Sequence, residues 1–222
     1  MPYPDTHTCW VGIDTSNYTT SVSLAVREPD APGRLRVVSN RKAPLPVAPG
    51  ARGLRQSDAL FHHTAALPEM LQELAQEFDL TKIDAVGVSQ KPRPVEGSYM
   101  PCFLAGVSAA TAFAAARDIP LIHTTHQQGH AAAALYAAKG EALFSQKVLL
   151  FHISGGTTDL LLCDQVRAIT TLGTSTDLYA GQAVDRVGVR LGFGFPAGAE
   201  VSRLAAQCIE EIRPKSSVKG LQ

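Results

Sequence analysis

Two imidazoles stand four residues apart in the run Ile122-His123-Thr124-Thr125-His126-Gln127-Gln128-Gly129-His130, at the head of an Ala-rich stretch from Ala131 to Ala138. If that stretch is helical, His126 and His130 project from one face a turn apart and can share a divalent metal ion. Further on, Phe151-His152-Ile153 leads as an apolar strand into Ser154-Gly155-Gly156-Thr157-Thr158, and a second strand follows from Asp159 to Cys163. Such a turn brings backbone N–H groups and hydroxyls close enough to cradle a phosphate. A His pair is common on ordinary helices, and Gly-Gly suits an ordinary hairpin. Together the two motifs point to a site where a metal meets a nucleotide or carboxylate. Three other histidines have plainer readings: His62 and His63 as polar residues at the start of a helix, His123 as a core histidine at a strand end.

These groups need elements to hold them. Cys9–Asp14 reads as a buried strand, Thr19–Val26 as an alternating one and Leu35–Ser39 as a third, giving an antiparallel meander. After a Pro/Gly-rich loop, Ser57 is placed to cap a helix whose stripe is Leu60, Thr64, Leu67, Leu71, Leu74 and Phe78. Pro68 should bend that helix or mark its true start. Ala85–Ser89 reads as a buried strand, Lys91–Pro101 as a loop, Phe103–Arg117 as an Ala-rich helix and Pro120–His123 as a strand. The pattern then restarts: Lys147–Ile153, Asp159–Cys163 and Val166–Thr171 form a second meander, followed by helices Leu178–Leu191 and Ala199–Glu211. Ile13-Asp14-Thr15-Ser16-Asn17-Tyr18-Thr19-Thr20 and Ile153-Ser154-Gly155-Gly156-Thr157-Thr158 share a strand, a polar turn and a Thr-Thr pair. The expected fold is therefore α/β, a duplicated β-β-β-α-β-α unit with its second copy incomplete. The lobes are placed at residues 1–124 and at 125–222, the latter holding the metal-binding helix and a second lobe that looks cut short. An unfinished sheet leaves an edge and an apolar face for a partner or a longer chain to cover.

Composition narrows the class. At 222 residues with 20 basic and 20 acidic side chains, the chain has no blanket attraction for nucleic acid. Seven basic residues (Arg27, Arg34, Arg36, Arg41, Lys42, Arg52, Arg55) face only Glu28 and Asp30 between Arg27 and Arg55. Such a cluster is first a solvated hairpin edge, and second a phosphate-backbone surface. Cys9, Cys102, Cys163 and Cys208 are scattered without a Cys-x-x-Cys pair, as apolar fillers in a reducing compartment. No apolar run reaches membrane-span length and no export signal is visible, so a cytoplasmic protein is expected, with no membrane partner.

The placed motifs resemble those of the TsaD family, the relatives of the tRNA threonylcarbamoyladenosine synthase once labelled glycoproteases. The resemblance rests on Gly12-Ile13-Asp14-Thr15-Ser16, His126-Gln127-Gln128-Gly129-His130, Ser154-Gly155-Gly156-Thr157-Thr158, Gly181-Gln182-Ala183-Val184-Asp185-Arg186 and Pro196-Ala197-Gly198. It implies the actin/sugar-kinase/heat-shock-ATPase architecture and transfer of a threonylcarbamoyl group to the adenosine 3′ of the anticodon in tRNA. It also implies one divalent metal ion, iron or zinc, held by His126 and His130. An adenylate, threonylcarbamoyl-AMP or ATP, would lie on Ser154, Gly155, Gly156, Thr157, Asp185 and Gly198. No catalytic side chain is assigned beyond the metal. His152 has the spacing of a metal-binding Tyr in some relatives and is a candidate third ligand. Expected partners are tRNA, not DNA, and a related TsaB-like protein as heterodimer, or a second copy as homodimer.

The chain departs from the family pattern at three points. Asn17-Tyr18-Thr19 replaces an acidic pair, Lys91–Ser98 replaces a Gly-Pro-Gly loop, and Gln182 stands where Glu is usual. A divergent member is the reading. A non-catalytic partner lobe of the same pathway is the alternative. A zinc peptidase lacks its base, since Gln127 cannot take a proton. A sugar or acetate kinase lacks a carboxylate beside the turn.

Overall fold

The structure is a computed structural model that describes residues 9–28, 35–47, 54–139, 143–165 and 168–208. It divides into two compact units, Met1–Leu150 with Leu162–Thr170, and Phe151–Leu161 with Thr171–Gln222. The helix carrying His126 and His130 falls in the first unit, so the division by compactness differs from one drawn at residue 124.

The first unit is built on strands β1 (Cys9–Ser16), β2 (Thr19–Arg27), β3 (Leu35–Pro44), β4 (Ala85–Ser89) and β5 (Leu121–Thr124) in the order β3-β2-β1-β4-β5. β1 and β2 pair antiparallel with Val11 opposite Leu24 and Ile13 opposite Val22, so their alternating apolar residues share one buried face. β4 lies parallel to β1, and β5 parallel to β4. Parallel neighbours need crossovers. Helix α1 (Gln56–Glu77) precedes β4 and α2 (Phe103–Arg117) joins β4 to β5. Both pack on the buried face, where Leu67, Met70, Leu74, Ala110 and Ala114 meet Val11, Ile13, Val22, Leu24, Val86 and Val88. The β-β-β-α-β-α order expected from the sequence is present. Helix α3 (His126–Lys139) follows β5 after one residue.

α1 corrects three expectations. Its buried residues are Ala59, His63, Leu67, Met70 and Leu74: Leu67 and Leu74 of the expected stripe lie on this line, Leu60, Leu71 and Phe78 are half-buried beside it, and Thr64 is exposed. The helix runs unbroken through Pro68, which is exposed, so water can satisfy the Thr64 carbonyl that Pro68 leaves without a donor. Ser57 is not the cap: Arg55 holds that position without a side-chain cap, and the Ser57 hydroxyl bonds Asp58 instead.

His63 is no polar end residue. It is fully buried, with Nε2 2.7 Å from the Ser16 carbonyl and Nδ1 2.8 Å from the Thr20 hydroxyl. A carbonyl only accepts, so Nε2 carries the hydrogen and Nδ1 takes one from Thr20. His123, by contrast, is exposed on β5 rather than in the core.

Three residues of the basic stretch are engaged by neighbours. Arg36 pairs with Glu28 at 3.2 Å, Arg41 with both Glu73 and Glu77, and the Arg27 guanidinium lies 5.8 Å from the Trp10 ring. That favours a solvated edge over a phosphate surface. Arg34, Arg52 and Asp30 lie outside the described residues.

The remaining strands, β6 (Lys147–Ile153), β7 (Thr158–Asp164) and β8 (Ala168–Thr174), form a sheet in that order. Helices α4 (Ala180–Arg190) and α5 (Gly198–Ala205) follow without an intervening strand. Asp159 and Leu161 are buried in β7, whereas Phe151 and Ile153 of β6 are largely exposed. The helix expected over Ala199–Glu211 ends at Ala205, with Ala206–Cys208 already outside it, and residues 209–211 lie outside those described. Among the described residues no helix is long and apolar enough to cross a membrane.

Candidate functional site

The end of β5 and the start of α3 form one hydrogen-bonded corner. Thr125 is the residue before the helix and Gln128 is three residues on, the spacing of a capping box. The Gln128 N–H donates to the Thr125 hydroxyl at 3.3 Å, and Gln128 Oε1 accepts from the Thr125 N–H at 3.0 Å. The N–H groups between them, of His126 and Gln127, donate to the carbonyls of Lys91 and Pro92 at 3.0 and 2.9 Å. All four N–H groups that a helix start leaves unpaired are thus satisfied inside the protein. The α3 terminus therefore has no spare donors for an anion, and the loop Lys91–Ser98, read as a departure from the family, has a structural task.

This corner aims His126 at β1. Its Nδ1 donates to Asp14 Oδ1 at 3.0 Å, and its Nε2 lies 2.8 Å from His130 Nε2, the two rings nearly perpendicular at 79°. The Phe103 ring stands 6.1 Å from that of His126. Burial works to raise the Asp14 pKa, but the hydrogen bond and charge of His126, a hydrogen bond from Ser89 and the charge of His130 outweigh it and leave the carboxyl below its ordinary 3.8. Asp14 is therefore a carboxylate at neutral pH, which holds the His126 proton on Nδ1 and leaves the Nε2 lone pair facing His130. Cys102 takes no part as a thiolate: burial, then the Asp14 charge, push its thiol up to about 11.

Two imidazole nitrogens pointed at one place suit a divalent ion. Ligand nitrogens about 2.0–2.1 Å from a tetrahedral ion are about 3.3 Å apart. The Nε2 pair at 2.8 Å needs to open by only roughly half an ångström to take one. Among the described residues no three His, Cys, Asp or Glu side chains are grouped as ligands of one ion. His152 lies on β6 in the segment Phe151–Leu161, which belongs to the second unit.

The second unit assembles the other motif. The Ser154 N–H donates to the Thr157 carbonyl at 2.8 Å, and the Ser154 and Thr157 hydroxyls meet at 2.6 Å. The Gly156 N–H donates to Ser154 Oγ at 3.1 Å, so this donor, expected bare, must leave the hydroxyl to reach a phosphate. Helix α4 is pressed onto the turn. A Cβ at Gly181 would lie 2.4 Å from the Ser154 carbonyl carbon and 2.6 Å from the Gly155 nitrogen. Only glycine permits that approach. The Gly181 N–H donates to Ser154 O at 3.2 Å, and Thr158 Oγ1 accepts from the Ala180 N–H at 2.8 Å.

Gly181, Asp185 and Gly188 follow at spacings of four and three and so share a face of α4. Asp185 Oδ1 accepts from the Ala197 N–H at 2.9 Å and lies 3.9 Å from where a Gly198 Cβ would be. A Cβ at Gly188 would fall 2.3 Å from that of Ala197. The structure thus joins Ser154, Gly155, Asp185 and Gly198 through one helix face. Part of the Asp185 carboxylate is already used to seat α5.

Asp14, Gln128 and Gly181 stand at the candidate site, and sequence reasoning gave them no role there. Thr-x-x-Gln ahead of an Ala-rich run was a readable capping signal. Asp14 at the end of an apolar strand was quoted only as part of a motif. The backbone approach at Gly181 leaves no local signal.

Comparison with known proteins gives the chain's family. Residues 47–221 match the family model TsaD, tRNA N6-adenosine threonylcarbamoyltransferase. A tRNA N6-adenosine threonylcarbamoyltransferase of Streptococcus uberis is 34% identical over 148 residues, covering 66% of this chain and 41% of the relative. One of Corynebacterium aurimucosum is 37% identical over 146 residues, covering 65% and 39%. The chain thus spans about two-fifths of the length of these relatives. Among solved structures, YeaZ from Pseudomonas aeruginosa is similar with a TM-score of 0.46 at 16% identity, covering 78% of this chain and 68% of that one. The Aquifex aeolicus member of the Ppx/GppA family has a TM-score of 0.44 at 15% identity, covering 89% and 59%. With the family match extending over residues 47–221, the chain belongs to the TsaD family.

Proposed function

We propose that this chain acts in threonylcarbamoyl transfer from threonylcarbamoyl-AMP to the adenosine 3′ of the anticodon in tRNA, with His126 and His130 holding a divalent iron or zinc ion. The observation that carries the reading is the Asp14–His126–His130 arrangement: a carboxylate fixes one imidazole so that its Nε2 and that of the second converge. An ion held there would supply a positive charge able to polarise the carbamoyl carbonyl and offset negative charge developing on it. His126 and His130 bind through Nε2, Asp14 keeps the proton on Nδ1, and His152 is the proposed third ligand. The Ser154–Thr157 turn receives the adenylate phosphate through backbone N–H groups and hydroxyls, while Asp185 and Gly198 border the ribose. tRNA and a TsaB-like protein, or a second copy of the chain, are the proposed partners, and the cytoplasm the proposed location.

A non-catalytic partner lobe is the second reading. It is favoured by the turn after β1, where Asn17 accepts from the Gln56 amide and Gln56 in turn accepts from the Cys102 N–H at 3.4 Å. A neutral amide pair fills that place, with no carboxylate to act on an acyl group. Labelled threonine, bicarbonate, ATP, tRNA and the companion proteins of the pathway test both. Label reaching tRNA with wild-type chain but not with His126→Ala/His130→Ala supports the transferase. Equal labelling with both chains refutes it and leaves the partner lobe.

A further inference from the structure

From the corner between β5 and α3 we infer that Gln128 is a positioning residue for the His126–His130 pair, acting through Thr124 and Thr125. The inference rests on the metal reading above and adds to it the device that sets ligand geometry. Gln128 Oε1 accepts from three groups, the Thr125 N–H and hydroxyl, both at 3.0 Å, and the Thr124 hydroxyl at 3.2 Å. One carbonyl oxygen thereby ties the first turn of α3 to the last two residues before it. The loop carbonyls of Lys91 and Pro92 fix the same turn from outside, and Lys91 Nζ donates to Val95 O at 3.1 Å within that loop. These bonds set both the rotation and the axial position of the helix.

The histidines are sensitive to that setting. A side chain about 5 Å from the helix axis moves almost 2 Å when the helix rotates by about 20°. The contact at stake is the 3.0 Å bond from His126 to Asp14 on β1, which does not survive such a shift, while the two Nε2 atoms, both on α3, move together. His126 is the first residue of the helix and Gly129 precedes His130, so fraying of this turn is felt first by the ligands. The capping box therefore preorganises the pair, and without it metal binding must order the turn as well.

The test is a Zn(II) titration in competition with a chromophoric chelator, on the full chain, alongside far-UV circular dichroism and thermal unfolding. Gln128→Ala and Thr125→Val each remove half of the box and are expected to bind Zn(II) about 10–100-fold more weakly while keeping their helical signal. Gln128→Glu, which keeps the acceptor, is expected to restore wild-type affinity within about threefold. Gln128→Asn, one methylene too short, is expected to bind weakly. If Gln128→Ala does not fold, the contrast between Glu and Asn decides. A folded Gln128→Ala or Gln128→Asn that binds as tightly as wild type, or a Gln128→Glu no better than either, overturns the inference and leaves only a contribution to stability. A wild-type chain that binds no Zn(II) or Fe(II) overturns the metal reading itself, which is a different result.

Discussion

His63→Leu should destabilise the first unit in a way that depends on pH. Leucine is close to histidine in size, so the cavity left is small and the cost comes from hydrogen bonding. The Ser16 carbonyl and the Thr20 hydroxyl each lose a buried partner, at roughly 1–3 kcal/mol apiece. Relief of burying the imidazole offsets part of this, leaving a net loss of about 2–4 kcal/mol at pH 8. Burial is the main influence on the His63 pKa and lowers it, with His62 adding to the effect. The Ser16 hydrogen bond and the Asp14 charge oppose it, and the result lies below the ordinary 6.5. The native state thus binds fewer protons than the unfolded one as pH falls through 6.5, and wild-type stability falls with it. Between pH 8 and pH 5.5 this linkage removes at most about 1.4 kcal/mol from wild type. It removes nothing from His63→Leu, so the gap between the two narrows on acidification. Urea unfolding followed by circular dichroism at pH 8, 6.5 and 5.5 measures the gap directly. A gap below about 0.5 kcal/mol at pH 8, or one that widens as pH falls, refutes the reasoning.

Three further outcomes are expected. Gly181→Ala must move backbone by about 1 Å, since its Cβ would meet Ser154 at 2.4 Å. A stability loss of roughly 1–3 kcal/mol and at least about tenfold weaker binding of ATP or AMP by calorimetry should follow. Asp14→Ala frees the His126 proton to move to Nε2 and should weaken metal binding about 10–100-fold, measured by competition titration, with the helical signal intact. Native chain treated with a thiol reagent at pH 8 should lose one fast-reacting cysteine, Cys208, because Cys9, Cys102 and Cys163 are buried; the other three should react only on unfolding.

Much of the architecture was legible because it is written in local periodicity. Val11, Ile13, Val22, Leu24 and Val26 alternate cleanly, and the Ala-rich run from Phe103 to Arg117 is the helix observed. The phase of α1 was legible only in part: Leu67 and Leu74 lie on the buried line, but Ala59, His63 and Met70 complete it in place of Leu60, Thr64 and Leu71. A buried histidine reads as polar until Thr20 and the Ser16 carbonyl are seen to satisfy it, and they come from forty or more residues away. The His pair itself was plain from spacing, but Asp14 is 112 residues distant and carried no sign of its partner. Likewise the Ser154 turn was recognisable as a motif, while the backbone approach of Gly181 is a tertiary fact. At the Arg27–Arg55 cluster the solvated-edge reading agrees with the structure, though Glu73 and Glu77 of α1, which pair with Arg41, lie outside the window counted.

The central claim is that His126 and His130 form the core of a divalent-ion site. Its most direct test is the metal content, by mass spectrometry, of chain purified anaerobically and dialysed against Fe(II) or Zn(II) without chelator. About one equivalent in the wild type and almost none in His126→Ala/His130→Ala is the result expected. Equal metal in both chains, or none in the folded wild type, would contradict it.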